Sequence, residues 1–453
     1  MTKTFFIFTA LLFFLCTWLG AAPKYVIVFI GDGFGQNQRE LVETATGEKL
    51  KLNALPSRAP TTTFNALNET TDSAASGTAI ACGQKTLNKC LGLDKDGKAL
   101  KSIAVRLQER GFKIGIVTSS PLNDATPAAY YAHQKSRNFK RAITEEMAAS
   151  NFDFFGGQPP SKDKKESSRD AERLTREILE KNDYHVFEGD DCLEHCKPGQ
   201  KNAALRTPRH PGFNLPADSP SLADFTRSAI ACLDNETGFF LMVEKGDIDY
   251  SGHQNDAAKL IHAVLDFDEA VMVGLAFQKQ RPQDTLIIVT ADHETGGLML
   301  DNPTRETLTR LFAQKTPLTA MKKEISPLAK QGTPEARAQM LAFFEDSFFS
   351  CEAPFSDEEK ARLEKVWDDY VAHKENLPGY ESMYGKYAAP VIEAARIRDA
   401  RCRIRYTTFG HSKAPVWTSA IGPGHEAFSL PMDNTQIPKK IWKIVMPNSA
   451  WAE

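Results

Sequence analysis

The chain has 453 residues, 42% of them hydrophobic and 25% charged, and a formal net charge of −3 from 55 basic and 58 acidic side chains. That composition is globular and excludes a long disordered chain. The near balance of charge excludes the basic excess that marks a nucleic-acid-binding surface.

Residues 1–22 read as a signal peptide. Lys3 gives a positive start, Phe5 to Leu19 is apolar, and Gly20, Ala21 and Ala22 are small enough for cleavage. The apolar run is short for a membrane span, so the expectation is export, a periplasmic or secreted protein, and no anchor after removal. Cys16 leaves with this segment, and seven of eight cysteines remain. An oxidising compartment permits disulfides, and Cys192/Cys196, Cys82/Cys90 and Cys351/Cys402 are candidates by nearness or order.

The first mature segment, Tyr25 to Ile30, is a continuous apolar run and reads as a strand buried on both faces; it runs into Gly-Asp-Gly with Asp32. The stretch TDSAASGTA, Thr71 to Ala79, follows. Its Ala, Ser and Gly bury little apolar area but let another group approach the backbone closely. LKSIAVRLQERG has a helical pattern and precedes a second strand, Lys113 to Ser119. Asp124 and Thr126 come next, a carboxylate and a hydroxyl suited to a hard ion such as Mg2+. Arg137 offers a guanidinium that can hold two phosphate oxygens, although it sits in the basic run QKSRNFKR, where a solvated side chain is the plainer reading.

Residues 151–220 look like an insertion, with PPSKDKKESS and a Pro-rich tail. The helical pattern SLADFTRSAIACL leads to a third strand, Phe239 to Val243, which ends at Glu244. VEKGDIDYSGH then places Glu244, Asp249 and His253 within ten residues. A fourth strand, Thr285 to Ala291, ends at the adjacent pair Asp292 and His293. Residues 301–400 read as a helical insertion. Thr333 caps a helix that opens at Pro334, and Ser356 with Glu359 forms a capping box ahead of an apolar face of Leu363, Val366, Trp367 and Tyr370. FGHS supplies His411 after it, and GPGHEAF holds a further histidine, His425.

Strands alternating with helices predict an α/β fold, a central mostly parallel sheet sandwiched by helices, with a helical insertion before the last metal ligand. The mature chain, residues 23–453, then forms a single catalytic domain with insertions at about 151–220 and 301–400. Three strands end in chemistry, and ligands of open α/β sheets bind beyond such carboxyl ends. Carboxylates mixed with imidazoles suit Zn2+ or a similar divalent ion.

These residues carry a specific resemblance. TDSAASGTA, the early IGDG, DATPAA followed by an arginine, the Glu244–Asp249–His253 spacing, TADHETGG and a late GH resemble the alkaline phosphatases of the secreted bacterial kind. The similarity covers roughly Tyr25 to Phe155, Leu222 to Asp301 and Tyr406 to Glu426. It implies metal-dependent hydrolysis of small phosphate monoesters through a phosphoserine on Ser73. It further implies two Zn2+ and one Mg2+ per site, and a homodimer. Asp249, His253 and His411 would hold the first zinc; Asp32, Asp292 and His293 the second, which also meets Ser73. Asp32, Thr126 and Glu244 would hold Mg2+, with Asp124 ordering its waters, and Arg137 would clamp phosphate.

One position departs from the family pattern. Tyr250 stands where bacterial relatives often carry Lys and animal ones His. The expectation is that Asp124 then lacks that cation and adds more uncompensated negative charge, so that Mg2+ is held more tightly, and phosphate less tightly, than with Lys. Two rival readings stand beside the phosphomonoesterase: a phosphodiesterase or sulfatase of the same superfamily, and a non-catalytic metal- or phosphate-binding protein. The first usually uses Thr or a modified Cys as nucleophile; the second predicts a vacant role, and none is vacant.

Overall fold

The computed structural model describes residues 22–163, 167–207, 219–349, 354–373, 377–382 and 385–451. The signal segment up to residue 21, with Cys16, lies outside the described residues, as do Cys351 and most of the Pro-rich stretch near residue 210. Among the described residues no helix is long and apolar enough to cross a membrane.

Ten strands make the central sheet: β1 (Tyr25–Gly31), β2 (Ser57–Thr62), β3 (Lys113–Pro121), β4 (Phe154–Gln158), β5 (Tyr184–Glu188), β6 (Lys201–Leu205), β7 (Phe239–Lys245), β8 (Thr285–Thr290), β9 (Val416–Ile421) and β10 (Met432–Asp433). Their spatial order is β10-β2-β9-β8-β1-β7-β3-β4-β6-β5. All neighbours run parallel except β9, which is antiparallel to both β2 and β8. The mostly parallel sheet is therefore as expected.

Every residue of β1, β7 and β8 is buried, which is why these segments read as unbroken apolar runs. The strand period of two divides them between two cores. Ile27, Phe29, Leu241 and Val243 face one core with the helix Ala257–Gln280, while Val28, Ile30, Phe240 and Met242 face the other with the helix Ser73–Cys82. Helices therefore cover both faces.

The stretch 151–220 supplies β4, β5 and β6 at one end of the sheet, with the helix Ser168–Lys181 between them. The stretch 301–400 is mainly helical. Helices Leu318–Gln331, Pro334–Phe349, Asp357–Ala372 and Ala389–Arg401 enclose their own core of Met321, Phe344, Trp367 and Ile392. Ser356 and Glu359 form the capping box, and the Ala336 N–H donates to Thr333 Oγ1 at 3.2 Å. Asp256, at the start of the long helix Ala257–Gln280, ties this layer to the sheet by accepting the Leu318 N–H at 2.9 Å and a Gln314 amide at 3.1 Å.

Two of the suggested disulfides do not form. Cys82, Cys90, Cys192 and Cys196 are thiols. Closeness in sequence does not aim the sulfurs at each other: Cys82 points at the Ala129 carbonyl, Cys90 at that of Lys135, and Cys196 at the backbone oxygen rather than the sulfur of Cys192.

Candidate active site

The carboxyl ends of β1, β7 and β8 lie side by side, with Ile30 opposite both Glu244 and Thr290. That register gathers Asp32 with Glu244, Asp292 and His293, all more than 200 residues further along the chain. Gly33 makes the turn after Asp32 with φ +76°, and a Cβ there would stand 2.8 Å from the Asp249 Cα, so the turn needs glycine. Its N–H donates to Asp292 Oδ1 at 3.1 Å.

Asp249 and His253 share one face of the short helix Asp247–Gln254, four residues apart. His411 comes from a two-residue strand paired with Glu294–Thr295, which brings it back across the helical insertion. Its Nε2 lies 3.0 Å from His253 Nε2 and 3.5 Å from Asp249 Oδ1. The other ring nitrogens are already engaged: His411 Nδ1 with the Thr71 carbonyl at 2.8 Å, His293 Nδ1 with Thr295 Oγ1 at 3.2 Å, and His253 Nδ1 with the Phe409 carbonyl. All three Nε2 atoms are thus turned toward the same space, as metal-binding imidazoles are.

Two ligand groups stand out. Asp249, His253 and His411 offer atoms within 4.8 Å of one another, and so do Asp32, Asp249 and His293. The second group brings in Asp249 beside the expected Asp32 and His293; Asp292 Oδ2 lies 3.2 Å from His293 Nε2. Asp32 Oδ1 and Asp292 Oδ2 are buried without a hydrogen-bond partner. Buried anionic oxygens left in that state are costly unless a cation meets them. The donor set and its orphaned oxygens therefore fit divalent ions.

The electrostatics agree. Burial and the charges of Asp292 and Asp249 push the Asp32 carboxyl well above its usual range. Burial raises Asp292 to about 6 and Glu244 to about 8. Burial would raise Asp249 as well, but the charges of His253 and His411 outweigh it and hold that carboxyl low. His293 is pushed well below its ordinary value by burial and by His411.

Ser73 is the first residue of a helix whose ten residues are all buried. Asp72 caps it by accepting the Ala75 N–H at 3.0 Å. Gly77 lets this helix lie against Ala129, since a Cβ would come within 3.2 Å of that methyl. The Ser73 hydroxyl sits 3.2 Å from His293 Nε2, where the helix end favours an anion.

Thr126 Oγ1 donates to Asp32 Oδ2 at 3.4 Å and lies close enough to Glu244 to lower its carboxyl, which places the three expected third-site residues together. Asp124 lies beside them. Arg137 Nη2 donates to its Oδ1 at 3.1 Å, and Arg137 Nη1 stands 3.7 Å from Asp72 Oδ2. Tyr250 OH donates to Asp124 Oδ2 at 3.0 Å.

Three residues went unread in the sequence. Thr118 donates to Glu244 from the neighbouring strand, at the position directly opposite it. Asp72, in the quoted motif, both caps the Ser73 helix and faces Arg137. Lys140 places its ammonium 3.2 Å from Asp124 Oδ1, so Asp124 does not lack a cation. The expected uncompensated charge on Asp124 is corrected: a cation arrives from the basic run that looked merely solvated. His425 lies elsewhere, with Nδ1 2.7 Å from Ser57 Oγ.

Comparison with known proteins places this geometry. The family model described as alkaline phosphatase matches residues 23–156 and 185–446. Alkaline phosphatase 4 of Bacillus subtilis is 32% identical over 449 residues, covering 94% of this chain and 89% of that protein. Alkaline phosphatase 3 of the same organism is 29% identical with the same coverage. Among solved structures, a cold-active alkaline phosphatase from Shewanella sp. superposes with a TM-score of 0.74 at 25% identity, covering 93% of this chain and 99% of that one.

Proposed function

The chain belongs to the alkaline phosphatase family, and from that premise we propose that Ser73 is the nucleophile of its phosphate monoester hydrolysis. The enzyme is a phosphomonoesterase, and the family's general route passes through a phosphoserine. One observation carries the choice of residue: the Ser73 hydroxyl opens a buried helix of small residues, 3.2 Å from His293, amid the convergent carboxylates and imidazoles.

The family and the ligand groups imply divalent metal cofactors. In this reading Asp249, His253 and His411 hold one Zn2+, and Asp32, Asp292 and His293 a second. Asp32, Thr126 and Glu244 would hold Mg2+, with Asp124 beside them. When bound, such ions lower the pKa of a hydroxyl and neutralise charge on phosphoryl oxygens. The chain supplies the rest. Arg137, braced between Asp72 and Asp124, presents its guanidinium to the phosphate, and the helix N-terminus adds backbone N–H groups. Ser73 Oγ gives up its proton and bonds to phosphorus as the ester P–O bond breaks and the leaving oxygen takes up a proton to become the alcohol. Water then adds to phosphorus as the Ser73–phosphorus bond breaks, one water proton returns to Ser73 Oγ, and inorganic phosphate leaves. Little more than positioning and charge neutralisation is required of the protein.

The reading extends to a single catalytic domain over residues 23–453, export after removal of residues 1–22, and assembly as a homodimer. The test is the purified mature protein on p-nitrophenyl phosphate and its bis-ester, with metal content measured on the same sample. Preference for the monoester with two zinc and one magnesium per chain is expected. Preference for the diester, or no turnover by metal-loaded protein, overturns the reading.

A further inference from the structure

Arg137 faces two carboxylates, Asp72 and Asp124, before it meets any substrate. Two negative charges around one guanidinium leave the cluster with a net charge of minus one. A phosphate dianion would be repelled by that cluster. Lys140 restores the balance, its Nζ 3.2 Å from the same Asp124 oxygen that Arg137 uses. Tyr250, the other donor to Asp124, brings no charge, since it reaches Asp124 Oδ2 with a phenol O–H at 3.0 Å rather than with a cation.

Lys140 is built into this place at both ends. It opens the helix Lys140–Ala149, where its N–H donates to Asp163 Oδ1 at 3.1 Å and that of Arg141 to Asp163 Oδ2 at 3.3 Å. Its carbonyl accepts from Asn123 Nδ2 at 3.2 Å, and its ammonium donates to the Asn123 carbonyl at 3.0 Å. Asn123 precedes Asp124, so one short segment fixes both partners of the pair. The Lys140 side chain is only 17% exposed. A pair held this way escapes most of the entropy cost and screening that make surface ion pairs weak.

The geometry points to Lys140 as a positioning residue of the phosphate site: by neutralising Asp124 it frees the charge of Arg137 for phosphate and limits cation affinity at the neighbouring third-metal position. This rests on the reading of Arg137 as the phosphate clamp. Lys140 acts through Asp124 and Arg137 rather than through contact with the reacting atoms.

The experiment compares zinc-loaded wild type with Lys140→Gln, Lys140→Arg and the double variant Lys140→Gln/Tyr250→Lys. Two constants are read: inhibition by inorganic phosphate, and Mg2+ binding by calorimetry. Removing one charge at this range in a partly dehydrated site should weaken phosphate inhibition about tenfold and tighten Mg2+ binding by a similar factor. Lys140→Arg should leave both near wild type. The double variant should recover both, because Tyr250 already reaches Asp124 from the other side and a lysine there can return the charge. A purely structural lysine would not be rescued from a different helix. Unmoved constants in Lys140→Gln, or no recovery in the double variant, overturn the role. If Lys140→Gln does not fold, Lys140→Met, which keeps the apolar stem, takes its place. Failure of both to fold beside a folded Lys140→Arg makes the residue structural and likewise overturns it. A wild type that releases no phosphate from monoesters refutes the enzyme reading itself; normal wild-type turnover with unmoved constants refutes only the role of Lys140.

Discussion

Stripping the metals should leave a protein whose stability falls as pH rises. Glu244 is enclosed at the end of β7, and burial, together with the charges of Asp124 and Asp292, raises its carboxyl from 4.5 to about 8. Without a cation, the native state keeps this proton after the unfolded chain has released it. The resulting stabilisation is complete below the unfolded value of 4.5 and is lost as pH climbs through 8. Histidines complicate the lower part of that range. His253 and His293 are depressed, so they add stability as pH rises toward 6.5 and nothing beyond it. His411 is raised and acts in the same direction as Glu244. The clear window therefore runs from 6.5 to 8. At about 1.4 kcal/mol per pH unit, crossing it removes about 2 kcal/mol through Glu244. The assay is the denaturant midpoint of chelator-treated protein at both ends of the window, with zinc- and magnesium-loaded protein in parallel. The stripped protein should lose stability, the loaded protein should lose less, and Glu244→Gln should flatten the slope. A stripped wild type whose midpoint stays level or rises between those pH values refutes the argument.

Three further outcomes are expected. Ser73→Ala should abolish acid-trapped phosphoserine and cut kcat by several orders of magnitude while leaving zinc content intact; labelling at wild-type level would remove Ser73 from the role. His411→Ala should lower zinc content and activity far more than the melting temperature, since the residue closes the site across the insertion; full zinc occupancy and rate would show that another group completes it. Asp72→Ala should cost about 1 kcal/mol or more through the lost helix cap, with Asp72→Asn restoring the cap but not the charge facing Arg137. Stability is read by chemical denaturation and phosphate affinity by inhibition. Equal recovery of both in Asp72→Asn would show that the charge does nothing.

What could be read from the sequence was what has a short period or a short motif. β1, β7 and β8 were legible because a strand covered on both faces leaves no polar positions, and their polar endings marked the site before any geometry was known. Asp249 and His253 were legible as candidates because they fall within ten residues of Glu244; that they share one helix face emerges only with the helix Asp247–Gln254. The capping box at Ser356 and the cap at Thr333 were legible because caps are local chemistry. Thr118 was not, because its role depends on which strand lies beside β7, and the sheet order places a strand from 126 residues earlier there. The second ligand group was only partly legible for the same reason. That Asp249 reaches it follows from Gly33 packing against the Asp249 backbone, a contact no spacing encodes. Cys82/Cys90 and Cys192/Cys196 failed because separation along the chain says nothing about the direction of a side chain.

Tyr250 shows why reading one position at a time misjudges electrostatics. A neutral residue where relatives carry a cation implies a missing charge only if the rest of the site is held constant. Charge around a carboxylate is set by every element packed against it, and Asp124 receives donors from three: Arg137 from the loop after it, Tyr250 from the helix Asp247–Gln254, and Lys140 from the helix Lys140–Ala149. Burial would raise Asp124, yet Lys140 and Arg137 together hold it well below its usual range, with Lys140 contributing the larger charge effect. The anchor for Lys140 is Asp163, from the stretch that carried no recognised motif. Its place beside Asp124 is therefore fixed by a helix cap and an asparagine, neither of them among the expected site residues. The phenol of Tyr250 meets Asp124 Oδ2 while both cations meet Oδ1, so the hydroxyl adds a hydrogen bond without competing for the charged contacts.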